Sequence, residues 1–310
     1  MMHVVSIINY KGGVGKTSLT ANLGAELAWR GKRVLLIDLD AQASLTFSFI
    51  TPDEWSTLYE PAGTIKAWFD AHDGGTPIGL ETLIASPSRV TQRLQGRGKL
   101  EIIFSHLGLI NVDLELATKL GGANLVQAKK NFISVHNRLS VVLQELAEQD
   151  EYDIVLIDCP PNFNIVTKTA IIASDYILVP TRPDELSTLG IDYLMRSIRG
   201  LISDYNDYIK VDNSSKDEPV QPAMVGVVFT MIQEYDNQPI AAQRSYISRV
   251  RREAGLPVFS SYIKRNDTLF AGAPQYGVPV VLTTHNNYSL QSVVDGLEAV
   301  TTEFESMIGL

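Results

Sequence analysis

The chain has 310 residues, of which 45% are hydrophobic and 20% are charged, a balance typical of a globular protein with a large core. Its formal net charge of −9 excludes a globally basic nucleic-acid-binding protein, so any contact with DNA has to come from a local patch. No apolar run reaches the roughly 18 residues of a membrane-spanning helix, and the single cysteine, Cys159, excludes an internal disulfide. The N-terminus carries no export signal, and we expect a cytoplasmic protein.

Apolar strand-like runs alternate with helical periodicity along the whole chain, which predicts the α/β class: a doubly wound, mostly parallel sheet flanked by helices. The predicted strands are residues 3–9, 33–38, 100–105, 153–158, 176–180, 223–230 and 258–263. The predicted helices are residues 17–30, 112–120, 132–148, 165–173, 185–204, 238–254 and 289–307.

Two stretches interrupt this alternation. Residues 52–98 carry turn residues and short amphipathic pieces, and we interpret them as an insertion between the second and third core strands. Residues 203–222 are polar and are predicted to form a mobile surface loop. Neither stretch is typical of an interdomain linker, so we predict one domain spanning residues 1–310.

A glycine-rich segment between the first strand and the first helix predicts a phosphate-binding loop. Residues 10–17 read Tyr-Lys-Gly-Gly-Val-Gly-Lys-Thr. Glycines let consecutive backbone N–H groups turn towards a polyphosphate, and the following helix adds its N-terminal partial positive charge. Lys16 is predicted to reach the β- and γ-phosphates, and the Thr17 hydroxyl to bind Mg²⁺. The predicted nucleotide-binding residues of this loop are Gly12, Gly13, Val14, Gly15, Lys16, Thr17 and Ser18.

A second apolar run ends in an aspartate that we expect near this loop. Residues 153–158 form a short continuous apolar strand that ends in Asp158. Because the carboxyl ends of parallel strands face the ligand crevice of an open sheet, Asp158 is predicted to hold the magnesium shell.

The loop departs from the usual Gly-x4-Gly-Lys-Thr pattern, since Tyr10 occupies the first glycine position and Lys11 follows it. With Lys11 and with the Asp-Leu-Asp-Ala-Gln segment at 38–42, the sequence resembles the ParA/MinD group of deviant Walker-A ATPases. In that family the early lysine reaches across a dimer interface to the partner's ATP. The resemblance therefore implies that ATP binding and formation of a homodimer are one event.

The same resemblance assigns roles to further residues. It implies ATP and Mg²⁺ as cofactors, with Lys11, Lys16 and Asp40 as catalytic residues. Asp40 orients or activates the attacking water, and Asp38 lies near Mg²⁺ through a water. Ala41 stands where the family commonly has proline, which leaves this turn less rigid.

The resemblance extends over nearly the whole chain. Residues 111–117 resemble the family's Asp-Leu-Glu-Leu helix, and residues 259–266 and 273–280 resemble its C-terminal strand, helix and turn. The family's adenine contacts come from its C-terminal loops. The candidates here are Thr230, Met231 and Asn266.

Charge patterns favour one branch of the family. Residues 298–310 contain no lysine or arginine, which argues against the basic membrane helix of MinD-type members. One cysteine per chain cannot supply the ligands of an Fe₄S₄ cluster shared between two subunits. Between residues 240 and 265, however, six basic residues stand against one acidic residue, and arginine suits phosphate oxygens. The predicted DNA-binding residues are Arg244, Arg249, Arg251, Arg252, Lys264 and Arg265.

These features predict an ATP-dependent dimerising ATPase with slow intrinsic turnover. It binds nonspecific DNA and positions or segregates a plasmid or chromosome cargo, as a nucleoid-associated protein in the cytoplasm of a prokaryote. A ParB-like partner on the cargo stimulates hydrolysis. We expect no N-terminal helix-turn-helix domain and no membrane partner. Three alternatives stay open: the same switch positioning a protein organelle or cluster, a membrane-associated MinD-like regulator, and a metabolic enzyme that uses ATP to activate or amidate a small molecule.

Overall fold

Seven of the apolar runs pair into one sheet, and every pairing in it is parallel. The computed structural model describes residues 1–71, 78–210, 218–283 and 287–310, and only the backbone of residues 272–274. The sheet strands are β1 (His3–Ile7), β2 (Arg33–Asp38), β3 (Lys99–Ile103), β4 (Ile154–Asp158), β5 (Tyr176–Thr181), β6 (Ala223–Ile232) and β9 (Val258–Lys264). A small antiparallel hairpin consists of β7 (Glu234–Tyr235) and β8 (Gln238–Pro239).

Helices cover both faces of the sheet, as the predicted doubly wound class requires. One face packs against α5 to α10, and the other against α1 and α12. The helices are α1 (Lys16–Trp29), α2 (Pro52–Leu58), α3 (Ile65–Ala71), α4 (Ser88–Leu94), α5 (Leu109–Lys119), α6 (Leu125–His136), α7 (Arg138–Glu148), α8 (Ile165–Ile172), α9 (Glu185–Ile209), α10 (Ala241–Glu253), α11 (Asp267–Tyr276) and α12 (Tyr288–Ile308).

The central strands are apolar on both sides because both of their faces are covered. In β1, Val4 lies in the core beneath α5 to α9, whereas Val5 and Ile7 lie in the core beneath α1 and α12. This alternation follows from the two-residue period of a strand. Continuous apolar runs are therefore the expected signature of these buried parallel strands.

The strand order places the candidate site. The order is β3-β2-β4-β1-β5-β6-β9, so β1 lies between β4 and β5 near the middle of the sheet. Asp38 at the end of β2 stands in register with Asp158 at the end of β4, and Ile7 of β1 pairs with Asp158 from the other side. The loop after β1 and these two aspartates thus share the carboxyl edge of the sheet.

One predicted helix is wrong in its extent. Residues 132–148 form parts of two helices, α6 and α7, which meet at Asn137. The helix α6 begins earlier, after Asn124, whose side chain accepts from Gln127 N. The two helices separate because α6 packs mainly against α9 while α7 packs against α8.

Two other predicted boundaries also shift. The helix α9 continues to Ile209, because Tyr205 and Ile209 extend its buried face into the predicted loop. Residues 211–217 of that loop lie outside the described residues. The helix α10 begins at Ala241 rather than at residue 238, since β8 pairs with β7 before the helix starts.

The segment 52–98 carries regular structure of its own. It contains α2, α3 and α4, and its large side chains Trp55, Trp68 and Val90 are buried. Thr51 caps α2 in a reciprocal arrangement with Glu54. Ala85 pairs with Ile102 of β3, so part of the segment continues the sheet edge.

Candidate nucleotide and DNA sites

The loop between β1 and α1 has the backbone that a phosphate cradle needs. Gly13 and Gly15 have φ of 68° and 81°, in the left-handed region that favours glycine, and Gly15 caps α1. The hydroxyl of Thr230 donates to Val14 O over 2.7 Å and supports the loop from beneath. The N-terminus of the 14-residue helix α1 therefore points its backbone N–H groups at the space above the loop.

Lys16 lies within this loop with only 6% of its surface exposed. Its Nζ donates to Lys11 O at 3.5 Å, a long contact that leaves the ammonium available to an anionic ligand. Burial lowers the pKa of the Lys16 ammonium, and the carboxylates of Asp158 and Asp40 oppose that shift. A bound polyphosphate would offset this desolvation, because its negative charge favours the protonated ammonium.

Thr17 and Asp158 meet as the magnesium prediction requires. The Thr17 hydroxyl donates to Asp158 Oδ2 over 2.7 Å, and the Thr20 hydroxyl lies 3.4 Å from Asp158 Oδ1. Burial raises the pKa of Asp158 to about 7. A hydroxyl beside a carboxylate fits Mg²⁺, which takes few protein oxygens and keeps several waters and phosphate oxygens. Thr17 and Asp158 are the residues that would hold the ion.

Asp38 and Asp40 occupy different environments although they are two residues apart. Asp38 is fully buried, and its Oδ2 accepts from both the backbone N and the hydroxyl of Thr46. Its Oδ1 accepts from Asp40 N over 3.1 Å. Burial, reinforced by the charge of Asp158, raises the pKa of Asp38 well above its usual range. Asp40 is only half-buried, and its Oδ1 accepts from Gln42 N.

Lys11 makes a contact that the motif did not predict. Its Nζ donates to both carboxylate oxygens of Asp184, at 2.8 and 3.0 Å, and to the hydroxyl of Ser187 at 3.0 Å. Asp184 also caps α9 by accepting from Ser187 N. Partial burial raises the pKa of Asp184, but the hydrogen bonds from Lys11 and Ser187 outweigh it and hold that pKa below its usual value.

The adenine candidates fall in three different settings. Thr230 is 2% exposed and uses its hydroxyl beneath the loop, so its side chain supports the loop. Met231 is half-buried with φ of 55°, in the left-handed region. Asn266 lies at the start of α11, where its side chain accepts from Leu269 N.

The loop glycines Gly12 and Gly13 are exposed, and Ser18 is half-buried in the first turn of α1.

The six predicted DNA-binding residues are here called the basic surface. Four of them form ion pairs with nearby carboxylates. Ion pairs join Arg249 to Glu185, Lys264 to Glu234, Arg265 to Asp267 and, at 3.7 Å, Arg252 to Glu253.

The two other members, Arg244 and Arg251, contact uncharged oxygens. Arg244 donates to the Gln238 side chain over 3.1 Å, and Arg251 donates to Phe259 O over 3.2 Å. In the described part of the chain, neither guanidinium lies within 4.0 Å of a carboxylate. The count of charges along residues 240–265 therefore overstates the charge that this surface presents.

Three residues that hold the candidate site in place were not among the predicted site residues. Asp184 could have been recognised as a helix cap, because it directly precedes Glu185 at the start of the predicted helix. Nothing in the local sequence pairs it with Lys11, 173 residues away. Thr46 and Ser105 likewise meet only in the folded chain, where Ser105 N donates to Thr46 Oγ1.

A glycine loop after the central strand of a parallel sheet, a buried lysine and a threonine–aspartate pair at the same edge define a P-loop nucleotide-binding domain.

Comparison with known proteins identifies the family. A family model described as an AAA domain matches residues 2–211. The chromosome partitioning protein ParA of Caulobacter vibrioides is 30% identical over 283 residues, which cover 91% of this chain and 87% of that protein. The sporulation initiation inhibitor protein Soj of Bacillus subtilis is 28% identical over 282 residues, 91% of each chain. The chain belongs to the ParA/MinD family of deviant Walker-A ATPases, in its partition branch.

A solved structure shares the whole fold. The McdA–ATP complex of Cyanothece superposes with a TM-score of 0.69 at 18% identity and covers 100% of this chain and 97% of its own. At that identity the likeness concerns the fold. None of the helices in the described ranges combines the length and apolar character needed to cross a bilayer.

Proposed function

We propose that this protein is an ATP-dependent dimerising ATPase that binds nonspecific DNA and positions or segregates a cargo. The observation that carries the proposal is the grouping of Lys11, the P-loop and Asp40 at one edge of the sheet. A loop that only stored nucleotide would need neither an extra lysine at its start nor a half-exposed carboxylate beside it. Both groups suit a nucleotide that is hydrolysed while a second chain lies against it.

The chemical step follows from the charges at this edge. The loop N–H groups and Lys16 bind the phosphates, and Asp40 orients a water for in-line attack on the γ-phosphate. Thr17 and Asp158 would hold Mg²⁺, and a bound ion would supply positive charge to the phosphate oxygens. Lys16 and Lys11 stabilise the charge that develops during transfer. Release of phosphate leaves ADP in the loop. ADP lacks the γ-phosphate that Lys16 and Lys11 bind.

An exposed apolar face of α9 beside Lys11 suits dimerisation. On α9, Leu186, Leu189 and Tyr193 are 72, 58 and 60% exposed, at spacings of three and four residues. Tyr193 also contacts Tyr10, with ring centroids 5.3 Å apart, so this face adjoins the P-loop. In a dimer, Lys11 exchanges the carboxylate of Asp184 for the phosphates of the partner's ATP, and the apolar face of α9 is covered.

DNA binding rests on the basic surface, with Arg244 and Arg251 as its leading contacts. Phosphates can compete for the ion-paired members, because exposed pairs are worth only about 0–1 kcal/mol. Two such surfaces on one dimer bind one duplex far better than a single surface does. ATP-dependent dimerisation therefore makes DNA binding depend on the nucleotide.

A switch of this kind needs a partner that sets its timing. We propose a ParB-like activator linked to a plasmid or chromosome cargo, and a nucleoid-associated location in the cytoplasm of a prokaryote. The alternative cargo, a protein organelle or cluster, uses the same chemistry. The family assignment favours both of these over a small-molecule ligase, and the acidic residues 298–310 favour both over a membrane-bound regulator.

The decisive experiment measures binding of the purified protein to nonspecific duplex DNA with ADP, with ATP, and with ATP in rising salt. ATP hydrolysis and oligomeric state are followed in the same samples. We expect hydrolysis, a dimer and DNA binding only with ATP, with the DNA binding lost as salt rises. The variant Lys11→Ala should stay monomeric and unbound, while Lys210→Ala, which removes an exposed lysine at the end of α9, serves as the matched control.

Each failure points to a different alternative. Hydrolysis without DNA binding in any nucleotide state would contradict the DNA assignment, and vesicles containing anionic lipid would then test the membrane-bound regulator. An absence of hydrolysis and dimerisation with ATP would contradict the switch itself.

A further inference from the structure

Thr46 holds together the turn that follows β2. Its backbone N and its Oγ1 both donate to Asp38 Oδ2, over 2.8 and 2.7 Å. The same Oγ1 accepts from Ser105 N over 2.8 Å. Thr46, Asp38 and Ser105 are all 0% exposed. One buried hydroxyl thus joins the end of β2 to the segment that follows β3.

Two of these residues, Asp38 and Ser105, bond to the main chain of Asp40, and Thr46 holds both of them. Asp38 Oδ1 accepts from Asp40 N, and Ser105 Oγ donates to Asp40 O over 2.7 Å. The indole of Trp55, from α2, donates to Ser105 O over 3.1 Å. Hydrogen bonds therefore hold Asp40 at its N–H and at its carbonyl. The segment 52–98 supports this arrangement through the bond from Trp55 to Ser105.

These contacts also give Asp38 a structural role. Its carboxylate accepts three hydrogen bonds, all from the turn itself, so it acts as the anchor of that turn. A side chain with a hydroxyl is needed as its partner, because the hydroxyl donates to Asp38 and at the same time accepts from Ser105 N. Valine has the same shape but can do neither.

We propose that Thr46 and Ser105 are positioning residues for Asp40 in ATP hydrolysis. This inference rests on the proposed function, since it is Asp40 that orients the attacking water. In-line attack tolerates little displacement: a misplacement of about 1 Å can cost about 100-fold in rate. The side chains of Thr46 and Ser105 are fully buried and bond to the turn itself, so each acts through the main chain of Asp40.

The test compares Thr46→Val with Thr46→Ser. For each, kcat and KM for ATP are measured with Mg²⁺, together with ATP affinity and the melting temperature. We expect Thr46→Val to lower kcat about tenfold or more while KM and ATP affinity stay within about twofold of the wild type. Thr46→Ser, which keeps the hydroxyl, should restore kcat to within about twofold of the wild type.

Ser105→Ala is a second route to the same answer should Thr46→Val fold poorly. It removes the bond to Asp40 O but keeps the backbone N–H that donates to Thr46, so a smaller loss of kcat at unchanged KM is expected. Wild-type kcat in both Thr46→Val and Ser105→Ala would overturn the assignment, as would an equal loss in the serine and valine variants. A wild-type protein that does not hydrolyse ATP would overturn the proposed function, and this inference with it.

Discussion

The carboxyl edge of the sheet that carries the P-loop, Asp38 and Asp158, here called the nucleotide edge, and the basic surface are built in opposite ways. At the nucleotide edge, Lys16, Asp38 and Asp158 are buried, and both carboxylates accept hydrogen bonds from neighbouring residues. On the basic surface, the charged side chains are exposed or half-buried and mostly form ion pairs with nearby carboxylates. The first arrangement is a preorganised site, whereas the second is a set of exchangeable contacts.

The effect of removing a charged side chain differs between the two regions. Removing a buried group leaves its partners desolvated and unpaired, so the effect of a mutation at the nucleotide edge is large. Replacing one member of an exposed ion pair changes little, because water and salt already screen it. Function at the nucleotide edge should therefore depend on single residues, and function at the basic surface on the sum of several.

The largest effect is expected for Asp40→Ala. If Asp40 orients the attacking water, as we propose, its loss should lower ATP hydrolysis by about 100-fold or more, while the P-loop still binds ATP. The variant should therefore stay on DNA as an ATP dimer, with slower dissociation than the wild type. Steady-state hydrolysis and dissociation from immobilised duplex DNA check both parts; rapid release in ATP would contradict the scheme.

A comparable loss is expected for Lys16→Gln. Removing a cation that faces the phosphates should reduce hydrolysis about 100-fold, and it should weaken ATP binding as well, which Asp40→Ala does not. Calorimetric titration with ATP and Mg²⁺ separates the two variants. The exposed Lys210, replaced in the same way, is the control, and ATP affinity equal to the wild type in Lys16→Gln would contradict the placement of the phosphates.

An intermediate effect is expected on the basic surface. The double variant Arg244→Ala/Arg251→Ala removes the two guanidinium groups of the basic surface that have no carboxylate partner among the described residues. It should make the slope of log K for DNA binding against log salt concentration less steep by about two. The matched double variant Arg249→Ala/Arg265→Ala, which removes two paired cations, should change that slope less. Equal losses would show that the ion pairs do not restrict these side chains.

The smallest effect is expected for Glu185→Gln. It releases Arg249 from its ion pair, and since an exposed ion pair contributes little to stability, DNA affinity should rise by no more than about fivefold. Glu253→Gln, beside Arg252, is the control on the same surface. Fluorescence anisotropy with labelled duplex DNA at low salt would detect the change. Weaker binding in Glu185→Gln would indicate that Glu185 supports the surface rather than masking it.

The fold was largely predictable from the sequence. All seven sheet strands coincide with predicted runs, because buried parallel strands are short and continuously apolar. The errors concern helices whose limits depend on packing: the junction at Asn137, the extension of α9 to Ile209 and the start of α10 at Ala241. The helices within residues 52–98 were not placed individually. Local periodicity does not say which neighbour a helix meets, and those neighbours set these limits.

The candidate site divides in the same way. The P-loop was readable because its glycines, lysine and threonine act within one short segment, and the strand-end aspartates were readable because a strand fixes where its end lies. The roles of Thr46 and Ser105 could not be predicted, although these residues hold the turn of Asp40, because their hydrogen bond joins residues 59 apart in the sequence.

The sequence by itself determined the strands, the phosphate loop and the family, since each depends on residues that are close in the chain. Only the tertiary structure decided which charges are free. Lys11 meets Asp184 across 173 residues and Arg249 meets Glu185 across 64, and no local pattern connects either pair. An ion pair depends on the distance between two side chains in space, and that distance is set when the whole sheet and its helices have packed.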